Sequence, residues 1–307
     1  MIDKHLPSFF IVGVQKAGTT SIHDWLVQQP DIRLPIQKET HFFSDDDRYA
    51  NGVDWYINQF PLSRSNTIYE VTGEIDPEYA FYSNAPIRIK SFIKKPKIIF
   101  IFRNPIERAF SQYNMSVYRG FEHLSFPDAL IEENNRMYHP DDGFTFRHYS
   151  YLSRSKYTEQ VQRYFSCFPD SSFLFIRFDD LISSSRGNQT YDEICQFIGL
   201  KSDSKIADRS KISNPSGMPK FIFLRNLIFK KSLLRSTVGK IIHSKYYRAK
   251  IKYSINQWNF KKDKHEKNHR LNYQELPDFA IETALKEIKN LQKITRLNLQ
   301  AWLDKFE

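Results

Sequence analysis

Four short apolar, β-branched or aromatic runs punctuate the chain at residues 9–14, 67–71, 97–102 and 173–178, each the length of one strand in a buried sheet. Between and after them, apolar positions recur at helical spacing and predict helices over 21–28, 54–60, 85–94, 105–118, 126–134, 155–165, 191–197 and 278–291. Strands that alternate with helices pair in parallel, so the pattern predicts an α/β fold with a central parallel sheet flanked by helices. No internal repeat breaks this order. Beyond about residue 203 the character changes: Ser213-Asn-Pro-Ser-Gly217 reads as an irregular connection, and a basic, aromatic-studded stretch follows with Lys230, Lys231, Arg235, Lys240, Lys245, Arg248, Lys250 and Lys252. The expected organisation is one domain over 1–307, with an α/β core at 1–202 and a basic, mainly helical part at 203–307.

Length and composition agree with that plan. The 307 residues, 40% hydrophobic, suffice for one substantial core. Forty-five Lys+Arg against 35 Asp+Glu leave a net charge of +10, which favours anionic partners without choosing among them. Cys167 and Cys195 fall in segments that read as helical, with no C-x-x-C pair, and are expected to be buried free thiols. Met1 to Ser8 is short and polar, and no stretch reaches the roughly 18 apolar residues of a membrane span, so a soluble cytoplasmic protein is expected.

The first apolar run leads into Gly13-Val-Gln-Lys-Ala-Gly-Thr-Thr20, the sequence form of a strand, an anion loop and a helix. Thr19 or Thr20 can cap the helix, Ile22, Trp25 and Leu26 give its apolar face, and Pro30 closes it. The glycines keep the spacing of a nucleotide-triphosphate loop, but Thr19 stands where that motif requires Lys, and Lys16 lies inside the loop instead. This suits a phosphate cradle for something other than Mg-ATP, although a glycine-rich turn can also serve close packing alone.

The third run ends in Arg103-Asn-Pro-Ile-Glu107, where Asn104 is a predicted N-cap, Pro105 the first helical residue and Glu107 the reciprocal capping partner. Arg103 offers a planar fork for a phosphate, and Ser111 stands two turns along the helix. Two phosphate-type elements at the carboxyl ends of two parallel strands fit a nucleotide with phosphates at both ends.

This pairing resembles the sulfotransferases that use 3′-phosphoadenosine 5′-phosphosulfate (PAPS). The resemblance implies that Gln15, Lys16, Ala17, Gly18, Thr19, Thr20 and Ser21 form the 5′-phosphosulfate loop, and that Arg103 and Ser111 bind the 3′-phosphate. Lys38-Glu-Thr-His-Phe-Phe43 is similar to the Lys-Glu-Pro-His-Phe-Phe element of the carbohydrate-modifying, heparan-sulfate-type branch, with Glu39 in the position of the base and Thr40 replacing proline. Ser155-Lys-Tyr157, Gln160, Tyr164, Phe168-Pro169 and Asp179-Asp180-Leu181 extend the likeness to about residue 200. Ser216 and Lys220 occupy about the place of the family's cofactor-covering loop.

The implied reaction moves a sulfuryl group from PAPS to a hydroxyl of a carbohydrate, glycolipid or small metabolite, with Glu39 as base and Lys16 at the bridging oxygen. His41 stands as either an alternative base or a support for its loop. The reading calls for no metal and no nucleic acid, and it places the enzyme in a bacterial cytoplasm with possible contact to anionic membrane or glycan. A P-loop kinase or nucleotide hydrolase is the first alternative, but it would need Lys directly after Gly18 and a metal-binding Asp at a strand end. A basic polyanion- or membrane-binding protein is the second, carried by residues 220–252, where Phe221, Ile222, Leu224, Leu227 and Ile228 could form an amphipathic helix. The acid run Asp45-Asp46-Asp47 reads as a solvated loop, not a metal site.

Overall fold

Five strands, β1 (Phe9–Gly13), β2 (Ile32–Arg33), β3 (Val71–Ile75), β4 (Lys97–Phe102) and β5 (Phe173–Arg177), form a sheet of order β2-β3-β1-β4-β5 in the computed structural model, with every pairing parallel. The model describes residues 6–61, 71–138, 143–200, 217–219, 221, 254–255, 258–262 and 271–307. Ser216, Lys220, nearly all of the 220–252 segment and residues 67–70 of the second predicted strand lie outside these. The chain divides into two units, one of Met1–Arg108, Arg154–Ser213 and Glu282–Glu307, the other of Ala109–Ser153 and Asn214–Ile281.

In the first unit, β1 is buried along its whole length, as expected of an apolar run covered on both faces of a parallel sheet. Phe9 pairs with Gly73 and with Lys97, and Ile11 pairs with Ile75 and Ile99. Gly73 is required by space: a Cβ there would lie 2.0 Å from the Phe9 ring, so the aromatic residue occupies what a side chain on β3 would fill. Helices Thr19–Leu26, Ala85–Phe92, Tyr157–Phe165 and Gly187–Ile198 contribute Ile22, Ile89, Tyr164 and Ile194 to the same core. After Asp278–Thr295, the C-terminal turn Gln300–Leu303 is fastened by the Trp302 indole, which donates to Asp179 Oδ2 at 2.6 Å.

The second unit carries most of helix Pro105–Arg119, then Phe126–Tyr138 and Gly143–His148, and an antiparallel pair of short strands, Gly217–Pro219 with Phe260–Lys262. Its internal anchor is Glu122, which accepts from Arg136 at 2.5 and 3.2 Å, from Tyr151 Oη at 2.8 Å and from the amides of His123 and Leu124.

Several expectations are corrected. The strand anticipated at 67–71 is found at Val71–Ile75, because Gly73 and Glu74 interrupt the apolar run that marks its neighbours. The helix predicted over 191–197 begins four residues earlier, at Gly187. Cys167 is half-buried in the turn after Tyr157–Phe165, outside any helix; Cys195 is buried in a helix, and both thiols are free. Asp45 caps the short helix Asp46–Tyr49 by accepting from Arg48 N at 3.1 Å, so the acid run is a helix start. Among the described residues no helix is long and apolar enough to cross a membrane.

Candidate active site

In the first unit the carboxyl ends of β1, β3 and β4 lie side by side, with β1 flanked by β3 on one side and β4 on the other. Chains leaving adjacent parallel strands in different directions open a crevice at that edge, the usual binding position in an open α/β sheet. Each of the three strand ends delivers one part of the site.

From β1 comes the glycine loop. Val14 N donates to Ile101 O at 2.9 Å and Ala17 N to Val14 O at 3.2 Å, while Lys16 and Gly18 take the left-handed conformation at φ 72° and 83°. Left-handed residues interleaved with ordinary ones gather backbone N–H groups around an anion. Gly18 is doubly constrained, since a Cβ would also stand 2.9 Å from the Phe178 ring and 3.2 Å from Leu181. It is also the N-cap of Thr19–Leu26 and supplies no side-chain hydrogen bond, which corrects the expectation that Thr19 or Thr20 caps the helix. The first amides of this helix therefore have no side-chain cap, the arrangement that suits an anion. Thr19 and Ser21 are buried and Thr20 half-buried.

From β4 comes Arg103. Its Nη1 donates to Lys16 O at 3.4 Å and its guanidinium lies 4.9 Å from the centre of the Phe178 ring, the ring that also packs on Gly18. Arg103 thus stands at the mouth of the same loop. Its Nε is buried without a hydrogen bond, 3.5 Å from Glu107 Oε2. Asn104 caps the helix as predicted, accepting from Ile106 N at 3.0 Å and Glu107 N at 3.3 Å. Glu107 does not reciprocate: its carboxylate pairs with Lys305 and faces Arg103. Ser111 is half-buried on the same helix, in the second unit.

From β3 come acids that sequence reasoning missed. Glu78 accepts from Gln15 Nε2 at 3.1 Å and from both terminal nitrogens of the buried Arg154, at 3.1 and 2.9 Å. Asp76 accepts the amide of His41 at 2.8 Å on Oδ2 and that of Glu78 at 3.1 Å on Oδ1. Glu74 is fully buried and accepts from Thr40 N at 3.0 Å and from Tyr56 Oη at 2.6 Å. Burial first, then the neighbouring Asp76 charge, pushes Glu74 up to about 7. The alternation Glu74-x-Asp76-x-Glu78 around Pro77 was the available signal, hidden because the strand was expected at 67–71 and its true end at Ile75 was not recognised.

Glu74 and Asp76 hold the segment that carries Glu39. Glu39 pairs with Lys38, and its Oε2 lies 3.8 Å from His41 Nε2. His41 Nδ1 lies 2.9 Å from Asp76 Oδ2, an ion-pair contact. Burial pulls the imidazole down, but Asp76, Glu39 and Glu78 outweigh it and hold the group at about 9, so His41 is a cation at neutral pH. A protonated imidazole has no free site for a proton, so this environment favours the supporting role for His41 over the alternative base. Glu39, His41 and Asp76 place ligand-type atoms within 4.8 Å of one another. Glu39 pairs there with Lys38, Asp76 with His41 and Glu78 with Arg154.

Residues 6–240 match the family model of the sulfotransferase domain. Over 198 residues the chain is 29% identical to heparan sulfate glucosamine 3-O-sulfotransferase 3B1 of Homo sapiens, covering 64% of this chain and 47% of that protein. Over 139 residues it is 32% identical to the membrane-associated sulfotransferase kil1 of Dictyostelium discoideum, covering 42% and 29%. The chain thus spans less than half the length of these two relatives. A crystal structure of a sulfotransferase from Alicyclobacillus acidocaldarius shares the fold, with a TM-score of 0.64 over 97% of this chain and 98% of that one at 23% identity.

Proposed function

The chain belongs to the sulfotransferase family, and from that membership we propose that it transfers a sulfuryl group from PAPS to a hydroxyl of a carbohydrate-type acceptor. The observation that carries the reading is the approach of Arg103 to the Lys16 carbonyl, which joins a guanidinium to the glycine loop at one crevice. The residues fit an anionic nucleotide: the first amides of helix Thr19–Leu26 have no side-chain cap, and Arg103 Nε is buried without a hydrogen bond.

PAPS supplies the sulfuryl group and leaves as adenosine 3′,5′-bisphosphate. In this reading the loop amides and the hydroxyls of Thr19, Thr20 and Ser21 hold the 5′-phosphate, and Arg103 with Ser111 holds the 3′-phosphate, which would discriminate against ATP. Ser216 and Lys220 remain part of the proposal as contacts from the covering segment. Glu39 takes the proton of the acceptor hydroxyl as its oxygen bonds to sulfur; the bond from sulfur to the bridging oxygen breaks, and Lys16 meets the negative charge left there. No divalent ion is needed to bridge β- and γ-phosphates. The carbohydrate class rests on the Glu39 segment and on the named activity of the human relative. Cytoplasmic location and contact with anionic glycan or membrane, for which the net charge of +10 is suited, belong to the same proposal.

Calorimetric titration with adenosine 3′,5′-bisphosphate and with Mg-ATP, on wild type and Arg103→Ala, tests the assignment. The bisphosphate is expected to bind more tightly than Mg-ATP and to lose most of that advantage in the variant. Preference for Mg-ATP would overturn the reading in favour of a kinase or nucleotide hydrolase.

A further inference from the structure

We propose that Asp76 is a positioning residue for the base: from the end of β3 it grips His41 by main chain and ring together and aims the far nitrogen of the imidazole at Glu39. The inference rests on Glu39 being the base, and it adds a residue that the loop motifs do not contain.

Asp76 has no exposure to solvent, and its carboxylate is fixed by two main-chain donors, His41 N at 2.8 Å and Glu78 N at 3.1 Å. The same Oδ2 lies 2.9 Å from His41 Nδ1. One oxygen thus holds both ends of one residue. His41 takes φ 53°, in the left-handed region that a residue other than glycine enters at a cost and that persists only where surrounding contacts enforce it. The grip of Asp76 is such a contact. It turns the ring so that Nε2 faces Glu39 Oε2 at 3.8 Å.

The charge state follows from this geometry. Nδ1 faces one carboxylate and Nε2 faces another, so each nitrogen is best occupied by a proton. The groups around the ring are Asp76 from β3, Glu39 from its own segment and Glu78 from the helix after β3; the cations paired with the last two are Lys38 and Arg154. Arg48, from helix Asp46–Tyr49, donates to the Thr40 carbonyl beside them. Glu39 therefore sits between two cations, Lys38 and His41. They fix the direction in which its carboxylate faces.

The test is a heteronuclear NMR titration of the histidine ring nitrogens, with His41 assigned by the signal lost in His41→Gln. In wild type both ring nitrogens of His41 are expected to be protonated at pH 7, with a midpoint near 9. In Asp76→Asn the midpoint is expected to fall by about one pH unit or more, since one carboxylate is gone, while adenosine 3′,5′-bisphosphate still binds; Asp76→Glu should move it back. A neutral His41 at pH 7 in wild type overturns the proposal without any variant having to fold, and so does an unchanged midpoint in a folded Asp76→Asn. Failure of the base assignment has a different signature: Glu39→Gln would then keep wild-type turnover, whatever His41 does.

Discussion

The side-chain amide of Gln15 donates from Nε2 to Glu78 Oε1 at 3.1 Å, tying the glycine loop after β1 to the carboxyl end of β3. Without that bond the loop is held on its other side, where Val14 N donates to Ile101 O. Gln15→Ala is expected to weaken adenosine 3′,5′-bisphosphate binding by about tenfold, the scale of one hydrogen bond to a charged partner. Calorimetry reads this directly, and unchanged affinity would show that the loop keeps its shape without Glu78.

Arg154 is the buried counter-charge of Glu78, at 2% exposure, and its guanidinium also lies 4.3 Å from the centre of the Phe81 ring. Replacing it by leucine keeps the bulk but strands a carboxylate. Arg154→Leu is expected to lower stability by about 3–5 kcal/mol, the usual result of removing one partner of a buried pair. Chemical denaturation measures it; a loss below about 1 kcal/mol would mean that water solvates Glu78 as well as Arg154 does.

Gly18→Ala confronts both a left-handed backbone and the Phe178 ring. The conformational part alone costs about 1–2 kcal/mol for a residue with a Cβ. The expected outcome is a lower melting temperature together with loss of bisphosphate binding, because relief of the clash moves the loop.

Lys16→Ala is expected to reduce sulfuryl transfer about 10²- to 10³-fold, as for removal of one group that meets developing charge, with a smaller effect on bisphosphate affinity. Single-turnover measurement separates the two. Equal losses in rate and affinity would make Lys16 a binding residue only.

Glu74 gives a pH signature. Its folded-state value, about 7, lies above the ordinary carboxylate value near 4.5, so its contribution to stability is complete below about 4.5 and is lost as pH rises through 7. Glu74→Gln cannot ionise. The melting temperature of the variant relative to wild type should therefore climb between pH 4.5 and 7 and then level off; a constant difference across that window would place the Glu74 titration elsewhere.

How much of this was legible depended on whether a signal was local. The loop at Gly13 to Thr20, the Asn104 cap and the strand at Lys97–Phe102 are written in consecutive residues, and the structure has them where the pattern put them. The start of the helix at Thr19 was misjudged because hydroxyl residues beside a glycine look like caps, whereas the left-handed turn at Gly18 already ends the loop. Glu74, Asp76 and Glu78 were missed for another reason. Their partners Thr40, His41, Gln15 and Arg154 are 34 to 76 residues away in the chain.

The sequence by itself determined the alternation of strands and helices, the parallel sheet and the residue types of the two anion elements, because each follows from periodicity or from a motif a few residues long. Only the tertiary structure decided that Arg103 meets the Lys16 loop, that Glu74 and Asp76 brace the Glu39 segment, and that His41 lies between the carboxylates of Asp76 and Glu39. Those outcomes depend on burial and on charges brought together across the sheet edge. The protonation of a side chain is set by the neighbours that folding assembles around it, and these are not its neighbours in sequence.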